Sequence, residues 1–389
     1  MANAKEITES LLQFTSSLYS KAILQQSSDL QNTFMSPLSI YIACAMTMAG
    51  ASDTTLQEMW HTLHVPDALR SNEFHESIGQ HLLKQIASSP DVEVSLANRL
   101  FTLNNVSILD DFKHTLSNDY CSDLESIADL ETVEDKRHRI NQWVALVTRS
   151  KIPELIAPGG LAEDAVLTIV NALYFRGMWE ESFPKEATFQ SKFYCLDGTT
   201  IDVLMMYNHQ SYRLTEITDL DAKAIKLSFN GERWKMLILL PNQRDGLQKL
   251  LNGLQQPGKF ASVLAESFVE EKAEVYLPRF KLADCPPLDV KKLLQNCGIR
   301  RLFDREADLS KICADKKLFI SDVMHKAVLE VDEEGATAAA ATGMVAVAMC
   351  YMPTPVIQVD HPFFLAILGE SDVPAFIGHV VRPEVDCTS

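Results

Sequence analysis

No charged residue stands between Glu334 and Asp360, although the 389-residue chain is strongly acidic overall. Clustered positive charge is also missing. Lys and Arg number 35 against 52 Asp and Glu, for a net charge of -17, which argues against a nucleic-acid partner because phosphate binding needs grouped cations. The pairs Arg300-Arg301 and Lys316-Lys317 are too short to alter that and read as solvated surface. The first residues hold no apolar run of signal-peptide length, since Lys5, Glu6 and Glu9 interrupt it. A cytoplasmic protein is expected on that ground, with unconventional release from the cell as the alternative. The eight cysteines form no CxxC pair and are expected to be reduced. The chain has no GxSxG, HExxH, P-loop or GxGxxG, no internal repeat and no Gly/Ser linker. His61 and His64 could share a helix face, but no further ligand completes a metal site. Neither an enzyme nor a cofactor is indicated, and a single domain spanning 1–389 is expected.

What is present is an uncharged run, GATAAAATGMVAVAMC from Gly335 to Cys350, followed by YMPTPVIQV. As a membrane span it is poor: Thr, Gly and Ala add little lipid affinity, and Pro353 and Pro355 break its far end. An Ala-rich helix is a strong competing reading, because Ala is the best helix former. A third reading is a strand in waiting. Ala336, Ala338, Ala340 and Thr342 would line one face, and Thr337, Ala339, Ala341 and Gly343 the other. Either face could be buried without desolvating a charge, which would cost several kcal/mol. A new central strand of about a dozen residues gains about as many backbone hydrogen bonds, on the order of 10 kcal/mol before packing.

Elsewhere the pattern is helical first. Ile7, Leu11, Phe14 and Leu18 recur at helical spacing, and the segments Leu38 to Gly50 and Lys136 to Arg149 also read as helices. Helical patterns dominate the first 160 residues. Strands follow over Val166 to Phe175, over Ala222 to Phe229 and Trp234 to Leu240 around the hairpin signal Asn230-Gly231, then Val275 to Leu282, Val323 to Val331, Phe363 to Leu368 and Pro374 to Val381. Helices followed by mostly antiparallel strands indicate an α+β protein.

The uncharged run sits among motifs that together resemble the serpin family over nearly the whole chain. They are Asn32-Thr33-Phe34-Met35-Ser36-Pro37-Leu38-Ser39-Ile40, Val170-Asn171-Ala172-Leu173-Tyr174-Phe175-Arg176-Gly177-Met178-Trp179, Leu277-Pro278-Arg279-Phe280, His325-Lys326-Ala327-Val328 leading into Val331-Asp332-Glu333-Glu334-Gly335, Asp360-His361-Pro362-Phe363, and Phe376-Ile377-Gly378-His379-Val380. The Asp360-His361-Pro362-Phe363 quartet, the thiol in the loop and the lack of a leader look most like the intracellular ov-serpin branch. Two departures are Cys285-Pro286-Pro287, where the family has a more polar helix start, and Ala336, where Thr or Ser is common.

The resemblance implies a single domain of helices packed around three β-sheets, with an exposed reactive loop over about 333–359. It implies a suicide-substrate mechanism in which a target serine protease forms a covalent 1:1 complex and is trapped when the cut loop enters the main sheet. The hinge would be Glu333, Glu334, Gly335, Ala336, Thr337, Ala338, Ala339, Ala340, Ala341 and Thr342. Ser36, Ser39, Asn171 and His325 match the family's polar cluster beneath the opening strands, and Trp179 the aromatic residue where the loop first enters. Counting from Gly335 as in the family places the scissile bond at Met349-Cys350, with bonds at Ala348 and Tyr351 as alternatives. Met there suits elastase-like or chymotrypsin-like proteases. Papain-like cysteine proteases are a second option, and a non-inhibitory binding or chaperone-like serpin a third. A monomer is expected. A heparin cofactor is not, since Ser71 to Pro90 holds only Lys84 among Lys and Arg.

Overall fold

The computed structural model describes residues 2–26, 30–84, 91–314, 318–334 and 354–384. The helical spacing near the start becomes the helix Ala2–Gln25, whose Ile7, Leu11, Phe14 and Leu18 are wholly buried. Ser36 begins the next helix, Pro37–Met48: its side-chain oxygen accepts from the Ser39 N–H, and Pro37 occupies the first turn, where no backbone donor is lost. All twelve residues of this helix are buried, as suits a helix that is apolar on every side. It packs on the strands Val92–Thr102 and Leu167–Gly177.

Two hydrogen-bonded sheets organise the described residues where three were expected, because the long strand Thr200–Ile217 pairs with Val269–Pro278 along one part and with Ala222–Ser228 at its end, joining two groups of strands into one sheet. One has five strands in the order Phe280–Leu282, Ile320–Val331, Leu167–Gly177, Val92–Thr102, Leu124–Ser126. Its centre is a parallel pair, Ile320–Val331 beside Leu167–Gly177, flanked by antiparallel pairs on both sides. The other sheet has nine strands. Its middle, Lys235–Pro241, Phe363–Leu368 and Pro374–Val380, is antiparallel and almost entirely buried.

The five-stranded sheet is covered on both faces. Leu167, Ile169, Leu173 and Phe175 face the main core. Val170, Ala172 and Tyr174 face a second core with Ile140, Trp143 and Val144 of the helix Val133–Val147. Burial on both sides explains why nine successive residues of this strand are inaccessible, the signature of a run without polar alternation.

Two expectations about single elements change, and a third holds with a wider loop. The region expected to be mainly helical contains an eleven-residue strand, Val92–Thr102. The single strand expected over Val275 to Leu282 is two, because the chain changes sheets at Arg279: Val269–Pro278 belongs to the nine-stranded sheet and Phe280–Leu282 to the five-stranded one. The Asn230-Gly231 hairpin forms, joining Ala222–Ser228 to Lys235–Pro241. Its loop is wider than a two-residue turn, with Gly231 and Glu232 both at positive φ and the Phe229 N–H donating to the Trp234 carbonyl at 2.9 Å.

Candidate functional site

Asn171 interrupts the apolar face of its strand between Ile169 and Leu173, pointing into the main core. His325 is its register partner on one side and Asn98 on the other, so three polar side chains form one row across the sheet centre. The Ser36 N–H donates to His325 Nε2 at 3.2 Å. That nitrogen therefore accepts, and Nδ1–H donates to Asn171 Oδ1. The Ser39 hydroxyl donates to the same oxygen at 2.6 Å. Asn171 Nδ2 donates to Asn98 Oδ1, and Asn98 Nδ2 returns to the Ser39 carbonyl at 3.3 Å. The Ser36 hydroxyl donates to the Ala375 carbonyl at 2.7 Å, tying the row to the nine-stranded sheet.

The row works with a neutral imidazole. Burial pushes the His325 pKa down to about 3, because no carboxylate in the row repays the desolvation of a cation. Ser36, Ser39, Asn171 and His325, singled out by resemblance, are thus brought together. Asn98 was missed. Its signal was the apolar alternation Val92, Val94, Leu96, Leu100, broken by one amide, as Asn171 breaks its own strand.

Above the row, the chain leaves Val331 through Asp332, Glu333 and Glu334. Trp179 holds this exit: its indole N–H donates to the Asp332 carbonyl at 2.8 Å and its backbone N–H to the Glu334 carbonyl at 3.1 Å. The ring stacks on Phe229, with centroids 4.5 Å apart. Arg176 binds Asp332 at 3.0 Å and Glu334 at 2.6 Å. The Glu333 side chain, 8% exposed, faces Arg279 at 4.0 Å and accepts from the Thr188 hydroxyl at 2.9 Å. Arg176 and Thr188 are contributors that sequence reasoning did not single out. Of the expected hinge, Glu333 and Glu334 are described. Gly335, Ala336, Thr337, Ala338, Ala339, Ala340, Ala341 and Thr342 lie outside the described residues, as do Met349, Cys350 and the alternatives Ala348 and Tyr351.

This arrangement has a specific capacity. A chain that leaves the top of Ile320–Val331 and turns back runs antiparallel to that strand and to its parallel neighbour Leu167–Gly177. The parallel ladder between these two strands is where a hydrogen-bonded polar row stands among the apolar side chains of that face. Among the described residues no group of three His, Cys, Asp or Glu side chains could hold a metal ion, and no helix is long and apolar enough to cross a membrane.

Comparison with known proteins agrees with this architecture. The family model described as Serpin (serine protease inhibitor) matches residues 9–383. Human Serpin B3 is 33% identical over 351 residues, covering 86% of this chain and 89% of that protein. Bovine leukocyte elastase inhibitor is 36% identical over 357 residues, covering 90% and 93%. The solved structure of uncleaved ovalbumin superposes with a TM-score of 0.85 at 26% identity, covering 97% of this chain and all of that one.

Proposed function

The chain belongs to the serpin family, and from that premise we propose that it is a suicide-substrate inhibitor of elastase-like or chymotrypsin-like serine proteases. The protease attacks Met349-Cys350 and becomes acylated through Met349. The freed hinge then enters between Ile320–Val331 and Leu167–Gly177 before water hydrolyses the ester, and the displaced protease loses its oxyanion hole and triad geometry.

The observation that carries this reading is the parallel central pair spanned by the His325–Asn171–Asn98 row. Insertion must part His325 from Asn171, and the backbone ladders of the incoming strand take over from the side-chain bonds that are lost. Trp179 and Arg176 fix Asp332 and Glu334, the residues that lead into the hinge, at the end of Ile320–Val331. Small uncharged residues from Gly335 to Gly343 let the strand enter without burying a charge. The absence of Lys or Arg between Glu334 and Asp360 disfavours proteases that read a cation, and Met at the scissile position favours an apolar specificity pocket.

The test is incubation with pancreatic elastase, neutrophil elastase and chymotrypsin, followed by SDS gels and the intact mass of the released peptide. An SDS-resistant complex with a C-terminal peptide beginning at Cys350 is expected. Cleavage without a complex across such a panel would refute the inhibitory mechanism, and a peptide beginning elsewhere would relocate the bond.

A further inference from the structure

The helix Asp110–Tyr120 and the segment Asn72–Ser77, continued by Ile78–Leu83, touch at Gly79, where an added Cβ would collide with the Asp119 carbonyl. Beside them opens a cleft of about 680 Å3 that shares no residue with the polar row or the exit. Its volume is that of a small-molecule site. Met48 and Phe112, both buried, and Leu56 and Trp60 of the helix Asp53–Thr62 give it apolar walls.

One buried donor in this cleft has no acceptor. His75 is 9% exposed, and its Nδ1 lies 2.5 Å from the Tyr120 hydroxyl. That hydroxyl is buried and has no other partner among the described residues, so its hydrogen goes to Nδ1 and the ring proton sits on Nε2. No described residue accepts from Nε2–H, although a buried polar group ordinarily has a partner. Burial and the charge of Lys311 hold the His75 pKa down at about 4, so the ring is a neutral donor. Lys311 lines the same cleft, is exposed, and makes no hydrogen bond or ion pair among the described residues. The Leu109 N–H donates to the Ile312 carbonyl at 2.9 Å, which keeps Lys311 at the start of the helix Asp110–Tyr120. Arg70, also in the wall, is already taken by Asp67 at 2.6 Å and the Val65 carbonyl at 3.1 Å. Asp111 and His114 stand at the exposed rim. At the far end of the helix, Glu76 and Asp119 make the cleft acidic, and burial and Glu76 raise the Asp119 pKa.

We propose that this cleft binds a small apolar monocarboxylate, whose carboxylate accepts from His75 Nε2–H and the Lys311 ammonium while its apolar body covers Met48, Leu56, Trp60 and Phe112. The two donors converge on one anionic group, and bonds to charged groups are the stronger kind. The acidic far end turns away a second carboxylate. The site does not depend on the inhibitory reading, because none of its residues belongs to that machinery.

The experiment titrates the full chain with octanoate, octan-1-ol and octanedioate by calorimetry, and follows tryptophan emission in wild type and Trp60→Phe. Octanoate is expected to bind 1:1, with octanol and octanedioate each about tenfold weaker, the loss that follows from removing or opposing one charge-assisted contact. In Lys311→Met and Lys311→Gln, both exposed changes, octanoate should weaken about tenfold while octanol is unaffected. The emission change on adding octanoate should vanish in Trp60→Phe. Absence of saturable octanoate binding, equal octanoate affinity in wild type and the Lys311 variants, or an emission change of the same size in Trp60→Phe overturns the site. Octanedioate bound as tightly as octanoate overturns the monocarboxylate assignment.

Discussion

The two sheets differ at their centres. In the nine-stranded sheet, Phe363–Leu368 lies antiparallel between two neighbours, and all six of its residues are buried. Its side chains are all apolar and belong to the main core. In the five-stranded sheet the central pair is parallel, slightly the weaker ladder. The side chains across its middle are an imidazole and two amides. Both centres are buried, yet the first carries only apolar side chains while the second carries a hydrogen-bonded polar row among its apolar neighbours. Burial alone therefore does not distinguish the two sheets, of which the proposed inhibitory mechanism requires only the five-stranded one to accept a strand.

The strongest way to break this contrast is to make the incoming strand unacceptable. Ala338→Arg brings a charge into the seam during insertion. It is expected to turn inhibitor into substrate, raising the moles of protein consumed per protease inactivated at least tenfold, since a penalty of several kcal/mol slows insertion far more than hydrolysis. An unchanged stoichiometry by titration would show that Ala338 never enters the sheet.

The next way is to remove the bonds that close the seam. Asn171→Ala strands the His325 Nδ1–H, the Ser39 hydroxyl and Asn98 Oδ1, all bonded to Asn171 in the native state. The native form should lose about 3 kcal/mol in urea unfolding, and the loop-cleaved form less, because an inserted backbone replaces those bonds. Equal losses in both forms would make the row ordinary core.

The smallest effect is a titration that should weigh on both sheets. Burial holds His325 at about 3, and His379 of the nine-stranded sheet at about 4. The unfolded chain binds protons near pH 6.5 that the native protein refuses. Stability is therefore full above about pH 6.5 and is lost as pH falls toward the folded values. Between pH 7.5 and pH 5 each such imidazole should cost about 2 kcal/mol. Urea midpoints across that range check the sign, and His325→Gln should flatten the slope by about one proton. A flat profile in the wild type would mean that these rings are protonated in the fold.

Much of this was legible in one dimension. The uncharged run after Glu334, the helix capped by Ser36-Pro37 and the buried strand Phe363–Leu368 each follow from local chemistry. Asn171 was legible only through resemblance, since one amide in an apolar strand has many explanations. Val92–Thr102, which carries Asn98, was lost in a stretch dominated by helical patterns: Leu96, Leu100 and Leu103 satisfy a helical period as well as Val92, Val94 and Leu96 satisfy a strand. Arg176 and Thr188 have no distinctive spacing, and their roles arise only from the neighbours brought to them.

The sequence by itself determined that the chain holds α and β elements, that it carries a segment able to be buried on either face, and that no cation stands near the expected scissile bond. These are properties of consecutive residues, set by charge, size and period. Only the tertiary structure decided that Ile320–Val331 and Leu167–Gly177 pair in parallel, that His325, Asn171 and Asn98 share a row, and that Val269–Pro278 and Phe280–Leu282 part into different sheets at Arg279. Register and sheet order depend on contacts between residues far apart in the chain, and those contacts are chosen by the burial and hydrogen bonding of the whole fold.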